Sequence, residues 1–428
     1  MGQGKKNHLN VTAKIFVALY QAATWLAAEL AVPYLRLTYG ASDLPGSYQE
    51  RYGKWKGTLP DEFIWFHGAS VGEVNSLIPV IKAWRAKHPN IHTLLTATTT
   101  TGLERGKESV HEVHLLPFDH RVFISKALGN TKPVRFVFGE TELWPELLSY
   151  LNKKKVPCYL VNGRISARSF RRYQKVQKII SPTLQLLRRI CVSTQESRDR
   201  FIALGADEKK VIITGNAKYD VVPRIDGRSP LEPFFQNVGV ILTLGSLRPG
   251  EEKKWFPVIA RLINSSQYSD LRVLIVPRHR EKFQEFANAL NQHRIAFDAY
   301  SKLLGLPSKK SVILVDAMGN LERAYSCSRM SFIGGTLFSE HGGHNPLESA
   351  MYKNALLLGP YGETIQEVRQ SLLNNNAVMI VRNEFEIEAA LTRLLNDKNL
   401  AHTMGEGAFS VWEKYRGATA RILEAIED

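Results

Sequence analysis

A single carboxylate closes a run of small residues where a predicted strand passes into a predicted helix. The run is HGASVGE at residues 67–73, and the apolar stretch 63–67 leads into it. Small residues at such a turn let backbone N–H groups approach a ligand closely. The Glu73 carboxylate can act as a general base on a substrate hydroxyl, or it can merely complement the dipole of the helix. The spacing alone favours neither alternative.

A second acidic cluster, GETELWPE at residues 139–146, directly follows the predicted strand 134–138. Two or three carboxylates at the carboxyl end of a strand are more than helix capping requires. Glu146 follows Pro145 near a predicted helix start, so the helix dipole explains Glu146 best and Glu142 least. Glu142 is therefore the second acidic candidate for chemistry.

The net positive charge of the chain lies in its first half. The formal net charge is +15, and residues 1–225 contain 33 Lys and Arg against 18 Asp and Glu, a difference of +15. A positive charge that is concentrated in one half of the chain favours an anionic partner such as phospholipid, a phosphorylated substrate or nucleic acid. The alternative is a solvated face without a partner.

Six cations fall in one short stretch of this basic half, several of them at spacings that share a helical face. Phosphate groups are their natural ligands. Only Phe170 and Tyr173 are interleaved with them, so the base stacking typical of nucleic-acid binding has weak support. The six are Arg164, Arg168, Arg171, Arg172, Lys175 and Lys178.

The second half offers glycine-rich and polar loops after predicted strands. Their backbone amides and helix N-termini could hold a phosphate, while Glu348 could bind ribose hydroxyls. Walker A and G-x-G-x-x-G patterns are missing, so ATP hydrolysis and NAD chemistry lack support. His344 has no second metal ligand nearby, which favours a structural hydrogen-bonding role. The loops are GSLRPG (245–250), PRH (277–279), MGN (318–320), GGT (334–336) and GGHNPLE (342–348).

The three cysteines, Cys158, Cys191 and Cys327, lie far apart in the sequence. They show neither metal-ligand spacing nor a Cys-x-x-Cys pair, so we expect no disulfide framework and no zinc site. Free thiols of this kind are typical of a reducing, cytoplasmic environment.

The elements that must position these residues follow a βα rhythm, which is typical of a parallel sheet. A proline-rich break at residues 222–233 divides the rhythm in two. We therefore expect two doubly wound, Rossmann-like α/β domains that face one another across a cleft, with ligands at the carboxyl ends of the strands. Predicted strands cover residues 63–67, 91–97, 134–138, 156–161, 190–193, 211–214, 238–244, 271–276, 312–315, 330–333 and 355–358.

The N-terminal segment 14–39 is mostly apolar for about 20 positions, which matches a hydrocarbon core. Gln21, Glu29 and Pro33 interrupt it, which favours a tilted or monotopic membrane helix over a regular span. A cleavable signal peptide would need a small-residue cleavage pattern that does not follow. A helix packed on its own domain is the remaining alternative.

The chain carries seven motifs in order: ASVGE (69–73), ETELWPELL (140–148), NGRIS (162–166), GNAKYD (215–220), PRH (277–279), MGNL (318–321) and GGHNPLE (342–348). Together they resemble the 3-deoxy-D-manno-oct-2-ulosonic acid (Kdo) transferases of lipopolysaccharide assembly, over nearly the whole chain. The resemblance implies a GT-B fold. It also implies an inverting, metal-independent transfer of Kdo from CMP-Kdo to a tetraacylated lipid A precursor (lipid IVA), with release of CMP.

The resemblance further implies roles for single residues. Glu73 would deprotonate the acceptor hydroxyl, and Glu142 and Lys218 occupy positions assigned to transition-state stabilisation. Candidates for further donor or acceptor contacts are Ser70, Gly72, Arg164 and Arg248, and no metal or other cofactor is implied. The residues implied in CMP binding are Pro277, Arg278, Met318, Gly319, Asn320, Asn345, Pro346, Leu347 and Glu348.

The implied setting is the cytoplasmic side of the inner membrane. The expected partners are CMP-Kdo, the phosphorylated lipid A precursor and the anionic membrane surface, and nucleic acid is not among them. The expected parts of the chain are a membrane-anchor segment (1–45), an acceptor-binding domain (46–221), a linker (222–235), a CMP-Kdo-binding domain (236–406) and a C-terminal helix (407–428).

Two alternatives stand beside this interpretation. One is another GT-B enzyme, a transferase or epimerase that uses a UDP-sugar. The other is a basic, membrane-bound scaffold that binds anionic lipid or RNA without catalysis. Consumption of UDP-sugars without release of CMP would favour the first.

Overall fold

A computed structural model of the chain describes residues 24–26, 46–220, 234–236 and 239–428. The chain forms two compact units, one of Met1–Asp220 with Gly417–Asp428 and the other of Val221–Arg416. The predicted membrane-anchor segment lies outside the described residues except for three helical positions, 24–26. None of the helices within the described ranges is long and apolar enough to cross a membrane.

The first unit is built on a seven-stranded sheet with parallel strand pairs. Its strands are β1 (Phe63–His67), β2 (His92–Ala97), β3 (Glu112–Leu115), β4 (Arg135–Gly139), β5 (Cys158–Gly163), β6 (Arg189–Val192) and β7 (Val211–Ile213). Their order is β3-β2-β1-β4-β5-β6-β7, the doubly wound pattern that reverses at β1. Strand β1 therefore pairs with both β2 and β4, and His67 lies opposite Thr96 and Phe138.

Two buried clusters lie in this unit because successive residues of a strand point to opposite faces of the sheet. In β1, Trp65 belongs to one cluster and Phe66 to the other. Residues 167–185 form two helices that meet at Val176. The helices are α1 (Val71–Lys87), α2 (Thr100–Gly106), α3 (Arg121–Leu128), α4 (Pro145–Lys153), α5 (Ala167–Lys175), α6 (Gln177–Gln185) and α7 (Gln195–Ala203).

The second unit repeats the plan with another seven-stranded sheet of parallel pairs. Its strands are β8 (Val240–Leu247), β9 (Leu271–Pro277), β10 (Phe297–Ala299), β11 (Val312–Leu314), β12 (Met330–Ile333), β13 (Ala355–Leu358) and β14 (Val378–Ile380). Their order is β10-β11-β9-β8-β12-β13-β14. The helices are α8 (Glu252–Ile263), α9 (Phe283–Gln292), α10 (Leu321–Ser326), α11 (Leu347–Ala350), α12 (Gln366–Asn374), α13 (Glu384–Asn396) and α14 (Lys398–Tyr415).

The C-terminal segment 407–428, predicted as one helix, is divided between the units. Its first part is the end of α14, and the chain then turns at Gly417, whose φ of 78° is left-handed. The last helix, α15 (Ala418–Glu427), belongs to the first unit. There Ile422 and Ile426 share a buried cluster with Leu77 of α1. Helix α15 is therefore part of the unit that carries Glu73.

Candidate active site

Glu73 lies in the first turn of α1, directly after β1. Ser70 is the N-cap of this helix, since its Oγ accepts the Glu73 N–H at 3.4 Å. The Glu73 carboxylate turns back and accepts the Ala69 N–H at 2.6 Å and the Ser70 hydroxyl at 3.3 Å. These bonds hold the half-buried carboxylate at the carboxyl end of the central strand, while Ser70 and Gly72 beside it are exposed.

The surroundings of Glu73 favour its protonated form. Burial and the nearby Glu142 carboxylate raise the pKa of Glu73 to about 7, although the Ala69 N–H opposes the shift. The pKa of Glu142 is also raised, by burial and by Glu140. A carboxylate with a pKa near neutrality can take up and release a proton under physiological conditions, as a general base must. The structure thus brings together the two acids that the sequence analysis singled out.

Glu140 is a third acid of this group that the sequence analysis left without a role. Its φ is 56°, a backbone conformation that residues other than glycine seldom adopt. Burial raises the pKa of Glu140, while Arg164 and Lys218 lower it, so both cations lie within electrostatic range. The acidic cluster after β4 was the signal that could have identified this residue.

The loop that carries these acids is fixed at its far end by Asp119, which is buried. The two oxygens of Asp119 accept the backbone N–H groups of Glu146, at 3.2 Å, and Leu147, at 2.8 Å, in the first turn of α4. Glu146 itself is buried in that turn. The start of α4, just after Glu142, is thereby capped from another loop.

Lys218 lies in a 3₁₀ turn, Ala217–Tyr219, that follows β7. The turn is capped by Asn216, whose Oδ1 accepts the Lys218 N–H at 2.9 Å. The Lys218 side chain is exposed, and its Nζ lies 5.5 Å from the centre of the Tyr219 ring. The turn therefore fixes the backbone of Lys218 and leaves the ammonium group accessible.

All six cations of the basic stretch are exposed: Arg164, Arg168, Arg171, Arg172, Lys175 and Lys178. The interleaved aromatic residues Phe170 and Tyr173 instead pack against a buried cluster of the first unit. Their rings are thus engaged in packing and do not form a surface on which bases would stack. Exposed guanidinium and ammonium groups of this kind are suited to bind phosphate.

In the second unit, the predicted CMP-binding residues lie at the ends of β11, β9 and β12, and Arg248 follows β8, the strand between β9 and β12. Arg278 and Met318 are exposed, and Gly319 has a φ of 87° with open space beside it. Asn320 precedes α10, and its Nδ2 donates to the Ala317 carbonyl at 3.2 Å. These loops share one edge of the sheet because all four strands run in the same direction.

The other predicted residues of this edge divide into surface and packing positions. The Asn345 Oδ1 accepts the Leu347 N–H at 3.1 Å. Glu348 is half-buried and lies within electrostatic range of Tyr325. Three predicted residues have buried side chains and serve the packing of the loops: Pro277, Pro346 and Leu347.

Arg248, in the loop after β8, joins two histidines of this edge. Its guanidinium contacts the His279 ring, and its Nε donates to the His344 Nε2 at 3.2 Å. Burial, Arg278 and Arg248 lower the pKa of His344 to about 3, so this imidazole is neutral. The hydrogen bond agrees with the structural role expected for His344. Within the described residues, His, Cys, Asp and Glu form no group that could hold a metal ion.

Glu251 is a residue of this edge that the sequence analysis missed. It is fully buried, and its carboxylate accepts the backbone N–H groups of Gly335, Thr336 and Leu337 at 2.9–3.1 Å. It also accepts the Arg248 N–H at 2.9 Å. One carboxylate thus fastens the loop after β12 to the loop after β8. The sequence signal was an acid directly after the glycine of GSLRPG.

Comparisons with known proteins agree with this architecture. Residues 46–221 match the model of the family 3-deoxy-D-manno-octulosonic-acid transferase (kdotransferase). The chain is 31% identical over 391 residues to the 3-deoxy-D-manno-octulosonic acid transferase of Haemophilus influenzae, covering 88% of this chain and 90% of that one. The enzyme of the same name from Chlamydia muridarum is 30% identical over 402 residues, which cover 91% of this chain and 90% of that one.

Two solved structures share the fold. One is the UDP-GlcNAc 2-epimerase from Neisseria meningitidis bound to UDP-GlcNAc, with a TM-score of 0.52 and 14% identity over 86% of this chain and 99% of that one. The other is a glycosyltransferase from Rickettsia africae, with a TM-score of 0.51 and 12% identity over 86% of this chain and 98% of that one. At these identities the likeness concerns the fold alone, which is the GT-B arrangement of two parallel-sheet α/β domains.

Proposed function

The chain belongs to the 3-deoxy-D-manno-octulosonic acid (Kdo) transferase family, and on that premise we propose that it transfers Kdo from CMP-Kdo to a phosphorylated lipid A precursor. The observation that carries the proposal is Glu73, held by the Ala69 N–H and given a pKa of about 7 by burial and by Glu142. A group with that pKa, at the carboxyl end of a central strand, is suited to remove a proton from a sugar hydroxyl.

In the proposed reaction, the acceptor hydroxyl oxygen bonds to the anomeric carbon of Kdo while its proton passes to Glu73. The bond between the anomeric carbon and the CMP phosphate oxygen breaks, and CMP leaves with the electron pair. Attack on the face opposite the leaving group inverts the configuration at this carbon. Lys218, which lies within electrostatic range of Glu140, supplies a positive charge for the leaving phosphate or the Kdo carboxylate.

Glu142 is proposed to act on the same transition state in two ways. Its negative charge raises the pKa of Glu73 and so strengthens Glu73 as a base. A carboxylate in this position also favours positive charge that develops on the sugar ring as the leaving group departs. We propose no metal ion in this scheme, because Lys218 supplies the positive charge, and we expect full activity after exhaustive treatment with EDTA.

The second unit is proposed to bind the CMP part of the donor at the edge that carries Arg278, Asn320 and Glu348. Exposed Arg278 can meet the phosphate, and the loops fastened by Glu251 offer backbone N–H groups and helix starts. The exposed cations of α5 are proposed to meet the phosphates of the acceptor and the anionic inner-membrane surface on its cytoplasmic side.

The test uses the full chain in detergent with CMP-Kdo and tetraacylated lipid A precursor. We expect release of CMP and a lipid whose mass has grown by Kdo, and Glu73→Ala should lower turnover about 100- to 10,000-fold. Glu196→Ala is the matched control, because Glu196 is also a first-turn glutamate, in α7. Consumption of a UDP-sugar without CMP release would overturn the proposal, and full turnover by Glu73→Ala would overturn the assignment of the base.

A further inference from the structure

Asn162, at the carboxyl end of β5, makes two hydrogen bonds deep inside the first unit. Its side chain is fully buried, and its φ of 55° is in the left-handed region that asparagine tolerates better than most residues. Its Nδ2 donates to the Ser76 carbonyl at 3.0 Å, and its Oδ1 accepts the Ala217 N–H at 2.8 Å. Both the donor and the acceptor group of one amide are thus used.

The two partners of Asn162 belong to the elements that carry Glu73 and Lys218. Ser76 lies in α1 one turn after Glu73, and its hydroxyl donates to the Glu73 carbonyl at 2.7 Å. Ala217 is the first residue of the 3₁₀ turn in which Lys218 follows. A single buried side chain therefore spans the space between the start of α1 and the turn after β7.

We infer that Asn162 is a positioning residue that fixes Lys218 relative to Glu73, an inference that rests on the proposed function of those two residues. Lysine has a long, flexible side chain, so the position of its ammonium group depends on where the backbone places the Cα atom. Hydrogen bonds are strong and directional in a buried setting. A displacement of about 1 Å in a catalytic group can cost on the order of 100-fold in rate.

A purely structural explanation of Asn162 makes a different forecast. The register of β5 with β6 shifts between Leu160 and Gly163, and an asparagine with positive φ suits such an irregularity. If this were its whole role, a substitution would lower stability without a specific effect on turnover. The experiment must therefore separate stability from kcat.

Asn162→Gly is the test variant because glycine keeps the backbone conformation and removes both side-chain bonds. We expect kcat for Kdo transfer to fall about 10- to 100-fold, with KM for CMP-Kdo nearly unchanged. Leu204→Ala is the control, since Leu204 is fully buried in the same unit but belongs to a different buried cluster from Ala217. It should lower the Tm and keep kcat.

A double-mutant cycle asks whether Asn162 acts through Lys218. If it does, Asn162→Gly should reduce kcat in the wild-type background and add little to the loss in Lys218→Ala. A full, multiplicative loss in the Lys218→Ala background would overturn the inference, and so would a fall in kcat that Leu204→Ala reproduces at an equal loss of Tm.

Amide hydrogen exchange gives a readout that does not depend on the substrate. The Ala217 N–H should exchange faster in Asn162→Gly and at the wild-type rate in Leu204→Ala, because only the first variant removes its acceptor. Unchanged exchange at Ala217 would overturn the inference about Asn162 alone. A wild-type chain that releases no CMP from CMP-Kdo would instead overturn the proposed function, whatever the exchange at Ala217.

Discussion

The carboxylate of Asp220 accepts the backbone N–H of Gly417 at 2.6 Å, across 197 positions of sequence. It also accepts the Thr419 N–H at 2.7 Å, and so it caps the N-terminus of α15. Asp220 is the last residue of the first unit before the chain enters the second, and Gly417 is the first residue after the chain returns. The two positions at which the chain leaves and re-enters the first unit are thereby joined by a hydrogen bond. Asp220 lies two residues after Lys218 in the sequence.

Asp220→Ala removes this cap and should loosen α15. Loss of a helix N-cap costs about 1 kcal/mol, so amide exchange across residues 418–427 should become faster. Asp397→Ala is the matched control, because Asp397 caps α14 in the second unit by accepting the Leu400 N–H at 2.9 Å. Equal exchange of α15 in the wild type and in Asp220→Ala would show that the helix is held by its apolar face alone.

The pH dependence of turnover should report the ionisation of Glu73. A base must be deprotonated to accept a proton, so kcat should rise with pH through a midpoint near 7 and then level off. Glu142→Gln removes a negative charge that raises this pKa, and its midpoint should move to lower pH whatever its maximal rate. An unchanged midpoint in Glu142→Gln would show that the charge of Glu142 does not affect the pKa of Glu73. Glu196→Gln serves as the control for the removal of one surface charge.

Glu73 should also lower stability at alkaline pH. Its pKa in the folded chain, about 7, is above the ordinary value of 4.5, so the folded state binds the proton more tightly than the unfolded state does. The contribution of Glu73 to stability is therefore full below pH 4.5 and is lost as pH rises through 7. Glu73→Gln should gain about 2 kcal/mol more unfolding free energy at pH 8 than at pH 5. Urea unfolding at both pH values measures this, and a pH-independent effect would contradict it.

Glu251→Ala should weaken CMP binding without a direct contact to the nucleotide. The substitution leaves three buried and one partly buried backbone N–H groups without their acceptor and releases the loop after β12 from the loop after β8. We expect the Kd for CMP, measured by calorimetry, to rise at least about 10-fold, in line with roughly 1–3 kcal/mol per unsatisfied group. Glu285→Ala, at an exposed position in α9, should bind CMP as the wild type does. Unchanged affinity in Glu251→Ala would show that the loops keep their shape without it.

The sequence predicted every central strand and one edge strand, β7, and the strands it missed share a position. Strands β3, β10 and β14 are all at an edge of their sheet. An edge strand has one neighbour and is partly exposed, so it need not be an apolar run. The four residues of β3, for example, are Glu-Val-His-Leu, and each of the other two strands has only three residues. The hydrophobic pattern therefore identified the central strands of both sheets and missed three of the four edge strands.

The βα rhythm, the two-domain plan and the family motifs could all be predicted from the sequence, because these are properties of short, continuous stretches. The N-cap at Ser70 and the carboxylate at Glu73 belong to one such stretch. The pKa of Glu73 near 7 could not be predicted from such a stretch, since it depends on burial and on Glu142, which β4 brings beside β1. The hydrogen bonds of Asn162, Asp220 and Glu251 could not be predicted from the sequence either, because each residue joins segments that are distant along the chain and become adjacent only in the folded unit.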